Sequence, residues 1–166
     1  SCVILRYFNV AGADSKLRCG FDINRGKNLF LNLCHSVTKN KKFEINGKNH
    51  NTKDGTTVRD FIHVSDLSEI HYKLSKLIVK KKIFFKLNCG YGYGFSVLEI
   101  LYKFIDISKK KINYEFVKKR KGDIIVSISN SSKLKKVINW KPKYQSLNYL
   151  VQSSLNWYKK KAKQPN

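Results

Sequence analysis

The 166-residue sequence contains no methionine and few acids: 11 Asp and Glu stand against 34 Lys and Arg, a formal net charge of +23. Because translation starts at methionine and the chain opens on Ser1, we expect further sequence upstream of it. The first ten residues show no basic-then-apolar leader. No uninterrupted apolar run approaches the roughly 18 residues that a membrane span needs, so no membrane partner is expected.

Cysteine pairs of the metal-binding kind are also missing. The four cysteines include no Cys-x-x-Cys pair, which argues against a zinc site, and no other metal site is predicted. Nothing in the sequence suggests secretion. The expected state is therefore free thiols in a cytoplasmic protein, at Cys2, Cys19, Cys34 and Cys89.

The positive charge is almost all lysine, with 29 Lys against 5 Arg. Such a charge favours phosphate polymers or anionic membranes, which keeps a basic polyanion-binding module as an alternative. Proteins that read bases prefer arginine, whose fork matches guanine. The lysine runs 80–82, 109–111 and 159–161 fall where helices are predicted to end, a favourable place for cations. We therefore interpret the charge as solvated surface and do not expect nucleic acid as a partner.

Hydrophobic residues make up 42% of the chain, enough for a buried core. Apolar runs alternate with segments of helical spacing, which predicts an α/β fold. The first strand, short and rich in branched residues, is expected to be buried and parallel. Strands are predicted at 3–8, 43–46, 57–64, 84–89, 113–118 and 124–129, and loops at 11–27 and 47–56. Helices are predicted at 28–39, 65–80 (capped by Ser65), 96–107, from Ser131 or Ser132 to Trp140, and 146–161.

The densest polar cluster spans residues 54–64, DGTTVRDFIHV. Arg59 alternates with apolar neighbours on the predicted strand, so it can point into a cleft. A half-buried arginine needs an anion, either a carboxylate such as Asp60 or a ligand phosphate. Alternatively, Asp60 and His63 form a structural pair that braces the next helix. The residues alone leave both interpretations open.

Two glycine-containing turns are candidate ligand sites. Gly90–Gly94 follows a predicted strand, but Phe95 stands where a dinucleotide-binding loop has its third glycine, which favours a tight strand-to-helix turn. In the basic turn 118–123, Gly122 permits a sharp backbone. Arg120 and Asp123 could then meet one ligand, Arg for phosphate and Asp for hydroxyls. A solvated hairpin is the simpler interpretation of that segment.

Five segments, in order, resemble UDP-glucose 4-epimerases, which are extended short-chain dehydrogenase/reductases. They are LRYFNVAGAD at 5–14, DGTTVRDFIHV at 54–64, LNCGYGYGFSVLE at 87–99, RKGD at 120–123 and WKPKY at 140–144. The resemblance implies the C-terminal part of such an enzyme across residues 1–166. It combines the end of a Rossmann sheet with the small mixed α/β substrate domain, and the N-terminal NAD-binding half is absent.

The implied activity is an isomerase, interconverting UDP-glucose and UDP-galactose through a 4-keto sugar with bound NAD. The family's catalytic Tyr-x-x-x-Lys lies upstream, so no catalytic residue is expected here. Tyr72 and Lys76 match that spacing by chance. The chain alone is expected to be inactive and to need the missing half, and a homodimer is a further expected partner state. Related UDP-sugars (pentose, glucuronate or N-acetylhexosamine) are the alternative substrates.

The resemblance also implies contacts to the UDP portion of the substrate. Arg59 and Arg120 match the two arginines on the diphosphate, and Asp123 matches the acid that holds the uridine ribose. Asn28 and Leu29 match the pair at the start of the next helix, over the diphosphate, although the alignment there needs a gap.

Further positions match the sugar, uracil and cofactor contacts of the family. Phe8 corresponds to the residue beside the nicotinamide and Asn9 to the asparagine that touches the UDP-sugar. Glu44 and Asn46 flank the strand laid against uracil, with Asn46 replacing a usual Phe. Ser127 matches a pocket-wall position where a small side chain admits N-acetylated sugars, which predicts tolerance of UDP-N-acetylglucosamine.

Overall fold

Parallel strand pairs with helical crossovers define the computed structural model, which describes residues 1–26 and 28–164. The strands are β1 (Cys2–Tyr7), β2 (Asn9–Ala11), β3 (Phe43–Asn46), β4 (Val58–Arg59), β5 (Phe61–His63), β6 (Phe84–Cys89), β7 (Phe95–Ser96), β8 (Tyr114–Val117) and β9 (Val126–Ser127). The helices are α1 (Leu29–Lys39), α2 (Val64–Lys80), α3 (Val97–Ser108), α4 (Ser132–Ile138) and α5 (Leu147–Ala162).

Strand pairing is mainly parallel. β1 runs parallel to β6, β2 to β5, β3 to β8 and β4 to β9, while β7 lies antiparallel on the other side of β4. Parallel neighbours far apart in sequence require crossover connections, and helices supply them. The predicted α/β class is therefore confirmed.

Two hydrophobic cores hold the helices against the strands. The larger one packs α1, α3 and α5 against β3 and β5, with Phe30, Phe104 and Tyr158 at its centre. The smaller one lies between α2, α4 and β6, around Leu74 and Leu134. The cavity described below opens beside the larger core, so that core positions its walls.

Helix starts follow local signals closely. Ser96 and Glu99 form the predicted capping box of α3: Ser96 Oγ accepts from Glu99 N–H at 3.0 Å, and Glu99 Oε2 accepts from Ser96 N–H at 2.7 Å. The lysine runs lie at helix ends as predicted, with Lys80, Lys109 and Lys159–Lys161 at the ends of α2, α3 and α5. Cations there oppose the negative end of each helix dipole.

The predicted strand 57–64 is wrong as one element. It is interrupted at Asp60 and divides into β4 and β5. The cap of α2 is also corrected, because the helix begins at Val64 and His63 Nδ1 accepts from Ser65 N–H at 3.1 Å. The last predicted strand, 124–129, is reduced to Val126–Ser127.

β1 is parallel as predicted, but it is not a buried strand. Ile4 and Tyr7 are exposed, and Phe84 on the neighbouring β6 is 64% exposed. Within the described residues β1 hydrogen-bonds to β6 alone, with α2 packed nearby, so one face keeps its apolar side chains in contact with solvent. Among the described residues, no helix combines the length and hydropathy needed to cross a membrane.

Candidate functional site

A cavity of about 380 Å³ opens where β2, β3 and β4 meet the start of α1 and the basic turn before β9. Its volume lies within the range of small-molecule sites. Residues predicted from distant parts of the sequence line it together: Asn9, Asn28, Leu29, Glu44, Asn46, Arg59, Arg120 and Asp123. The fold thus brings most of the predicted substrate-contact positions to one concave surface.

Arg59 and Asp123 form an ion pair in the wall of this cavity. Arg59 Nη2 donates to Asp123 Oδ1 at 2.6 Å, and the two side chains are 18% and 24% exposed. Arg59 Nη1 also donates to the carbonyls of Val58 at 2.9 Å and Ile125 at 3.3 Å. The guanidinium is therefore fixed in direction, and the carboxylate beside it is Asp123, not Asp60.

The basic turn is a loop that lines the cavity and not a hairpin. β8 before it pairs with β3, and β9 after it pairs with β4, so the two flanking strands do not pair with each other. Gly122 has φ +77°, and Asp123 N–H donates to Arg120 C=O at 3.3 Å, which closes the turn tightly. Arg120 and Asp123 thereby reach the same cavity.

The N-terminus of α1 adds a second source of positive potential. Asn28 is the N-cap, and its Oδ1 accepts from Leu31 N–H at 2.8 Å. Asn32, one turn later, lines the same cavity. Backbone N–H groups of a first helical turn favour anions, so two arginines and this helix end all favour a phosphate-like group in the cavity. Asn32 was missed from the sequence, although its spacing of four from Asn28 places both on one helix face.

The structure separates Asp60 from His63, so their interpretation as a pair is wrong. Asp60 is fully buried and accepts hydrogen bonds from the Tyr91–Gly92 turn and from Ser129. His63 caps α2, with its Nε2 3.2 Å from Ser153 Oγ. Burial lowers the pKa of His63 from 6.5 to about 4, so the imidazole is neutral at physiological pH.

The Gly90–Gly94 segment is a tight turn that serves Asp60. A Cβ on Gly90 would lie 2.5 Å from Asp60 Oδ2 and would also meet Ser129 Oγ. Gly90 is needed for this close approach, which explains a glycine that fits no dinucleotide-binding pattern. The role of Asp60 was missed because its partners lie about 30 and 69 residues away in sequence.

Phe8 and Ser127 lie near the cavity without lining it. Phe8 is half-buried between β1 and β2, and its N–H donates to Cys89 C=O at 3.2 Å. Ser127 is the register partner of Arg59 in the β4–β9 pair. Both positions flank residues of the wall, Asn9 and Arg59.

Comparison with known proteins gives this cavity its context. The UDP-glucose 4-epimerase of Halalkalibacterium halodurans is 35% identical over 158 residues, 95% of this chain and 47% of that protein. That of Dictyostelium discoideum is 42% identical over 147 residues, 85% of this chain and 42% of that protein. The chain therefore spans about half the length of the curated relatives it matches.

Solved structures agree with the sequence relatives. UDP-glucose 4-epimerase from Bifidobacterium longum, in complex with NAD+ and UDP, superposes with a TM-score of 0.86 at 34% identity, covering 96% of this chain and 48% of that one. The family model described as NAD dependent epimerase/dehydratase matches residues 1–90, more than half of the sequence. The chain belongs to the NAD dependent epimerase/dehydratase family.

Proposed function

We propose that the intact protein is an NAD-dependent UDP-glucose 4-epimerase, and that this chain grips the UDP portion of the substrate. The observation that carries the proposal is the cavity in which Arg59, Arg120, Asp123 and the start of α1 converge. Two guanidinium groups and a helix N-terminus suit a diphosphate, and a carboxylate beside them suits ribose hydroxyls.

Each residue is assigned to one part of UDP by its position in the cavity. Arg59 and Arg120 take the diphosphate, with Asn28 and Leu29 above it at the start of α1. Asp123 accepts from the ribose hydroxyls with the carboxylate oxygen that does not hold Arg59. Binding energy at this end of the substrate tethers the intermediate while the sugar turns over, a use of remote contacts for the reacting end.

The two ends of the substrate meet different walls. Glu44 and Asn46 on β3 face the uracil, and Asn9 on β2 faces the sugar. Phe8 follows the carboxyl end of parallel β1, the sheet edge at which α/β folds bind ligands, so it fits one side of a nicotinamide. The chemistry that bound NAD supplies is reversible hydride removal at sugar C4.

We assign the proton-transferring Tyr and Lys to sequence outside residues 1–166, in the half of the relatives that these residues do not cover. The exposed apolar side of β1 and β6, with Ile4, Tyr7 and Phe84, is the surface against which that half packs. A cytoplasmic homodimer is the proposed working form, with four free thiols suited to a reducing compartment.

Calorimetric titration of the intact gene product with UDP, together with its turnover of UDP-galactose, tests the proposal. We expect saturable UDP binding and formation of UDP-glucose with catalytic NAD. No UDP binding, together with strong and steeply salt-dependent binding of random nucleic acid, would contradict it and would favour a polyanion-binding module.

A further inference from the structure

Asp60 occupies the single-residue break between β4 and β5, and its backbone joins segments from both sides. Its N–H donates to Ser127 C=O at 2.9 Å, and its C=O accepts from Asn9 N–H at 3.1 Å. Asp60 thereby links β9, through Ser127, to β2, through Asn9, directly after the end of β4. Two residues of the cavity wall, Asn9 and Arg59, are thus connected through Asp60.

The Asp60 side chain fixes the same region from behind. Its carboxylate accepts hydrogen bonds from Tyr91 N–H at 3.0 Å and from Gly92 N–H at 3.0 Å. Ser129 supplies two more donors, its N–H at 3.2 Å and its Oγ–H at 2.6 Å. It is 0% exposed. A buried carboxylate with four donors is satisfied and rigid, whereas removing its charge leaves buried N–H groups without an equal partner.

Arg59 depends on this anchor at both ends. Its backbone is adjacent to Asp60, and its side chain is held by Asp123 and by the Ile125 carbonyl. Those two partners belong to the segment that Asp60 fixes at Ser129. A shift of that segment therefore moves the guanidinium and its partners together.

We propose that Asp60 is a positioning residue for anion binding: it sets the direction of the Arg59 guanidinium without touching the ligand. This role rests on the proposed function, because the anion it serves is the UDP diphosphate. Asp60 lines no part of the cavity, so its effect on affinity is transmitted through Arg59.

Asp60→Asn tests the role, with Asp66→Asn as a matched control. Asp66 is equally buried and accepts from Tyr91 Oη at 2.6 Å and Tyr144 N–H at 3.0 Å. It shares Tyr91 with Asp60, but it accepts no hydrogen bond from β2, β4 or β9 within the described residues. UDP is titrated at a temperature well below the melting temperatures of both variants. Asp60→Asn should weaken UDP affinity about tenfold or more, and Asp66→Asn should weaken it by less than about twofold.

A double-mutant cycle separates positioning from general loosening. In an Arg59→Ala background, Asp60→Asn should cost less than about threefold, because the group it orients is gone. An equal loss in both backgrounds, or unchanged affinity in Asp60→Asn, overturns the role. If Asp60→Asn does not fold, Ser129→Ala, which removes one donor to Asp60, should weaken UDP binding about threefold, and no change there also overturns it.

The outcomes for the two proposals remain distinct. Absence of UDP binding in the unsubstituted intact protein overturns the proposed function, and the role of Asp60 falls with it. Normal binding that is insensitive to Asp60→Asn overturns the positioning role and leaves the proposed function intact.

Discussion

Arg59 Nη2 and Asp123 Oδ1 lie 2.6 Å apart, although 64 residues separate them in the chain. The pair is only partly exposed, so solvent screens it less than a surface ion pair. The pair joins β4 to the loop before β9, and both of its side chains line the cavity. In the proposed function, the diphosphate therefore meets an arginine whose direction is already set.

Arg59→Lys should weaken UDP binding by about tenfold, since lysine keeps the charge but loses the planar fork that suits phosphate. Isothermal titration at fixed salt measures the change. Arg18→Lys is the matched control, because Arg18 also pairs with an aspartate, Asp14, at 2.8 Å, but is 70% exposed and lies outside the cavity lining. Equal losses in the two variants would contradict a specific role for Arg59.

His63 should make the fold less stable in acid. Burial holds the pKa of His63 near 4 in the folded state against about 6.5 when unfolded. Between these values the unfolded chain binds more protons, so the free energy of unfolding rises with pH through that window. The full effect is about 3 kcal/mol, lost as pH falls from about 6.5 to about 4.

Urea unfolding at several pH values measures this dependence. The His63→Asn variant keeps an N-cap acceptor and removes the titration, so its slope between pH 4 and 6.5 should be much flatter. Parallel slopes in the two proteins would show that other groups govern the acid response.

Gly90→Ala should destabilise the protein by about 1–3 kcal/mol, because the added methyl group meets the Asp60 carboxylate in a filled site. Gly122→Ala is the comparison. Gly122 has φ +77° but nothing within 4 Å of a built Cβ, so only backbone strain of about 1 kcal/mol is expected. Thermal unfolding of both variants gives the order, and a larger loss in Gly122→Ala would contradict the packing argument.

The small side chain of Ser127 predicts that the intact protein also epimerises UDP-N-acetylglucosamine. Ser127→Tyr should reduce turnover of the N-acetylated substrate far more than that of UDP-glucose, because the resemblance implies that a bulky side chain at this position excludes N-acetylated sugars. Coupled assays with both substrates provide the ratio. If the unsubstituted protein epimerises UDP-glucose but not UDP-N-acetylglucosamine, the predicted tolerance of N-acetylated sugars is wrong.

Local signals predicted some elements closely and could not predict others. The start of α3 was predictable because Ser96 and Glu99 cap it within four residues. The break at Asp60 was not, because the segment TVRDFIHV has the pattern of one continuous strand. Its interruption comes from donors at Tyr91 and Ser129, which only the folded chain brings near.

The candidate site shows the same limit. Spacing and charge singled out Arg59 and the turn at Arg120–Asp123 as separate anion-binding segments. Nothing in either segment indicates that they meet, and their order in a known family provided that expectation. The structure adds Asn32 to the cavity lining, which does not include Phe8 or Ser127.

The lysine runs at the ends of α2, α3 and α5 have a consequence for the whole molecule. A net charge of +23 on 166 residues repels itself, and folding brings those charges closer together than in the open chain. Salt near physiological strength limits each charge's reach to about 8 Å. Within the described residues seven ion pairs stand beside this lysine excess. Added salt should therefore relieve more repulsion than attraction, and the free energy of unfolding should rise with ionic strength.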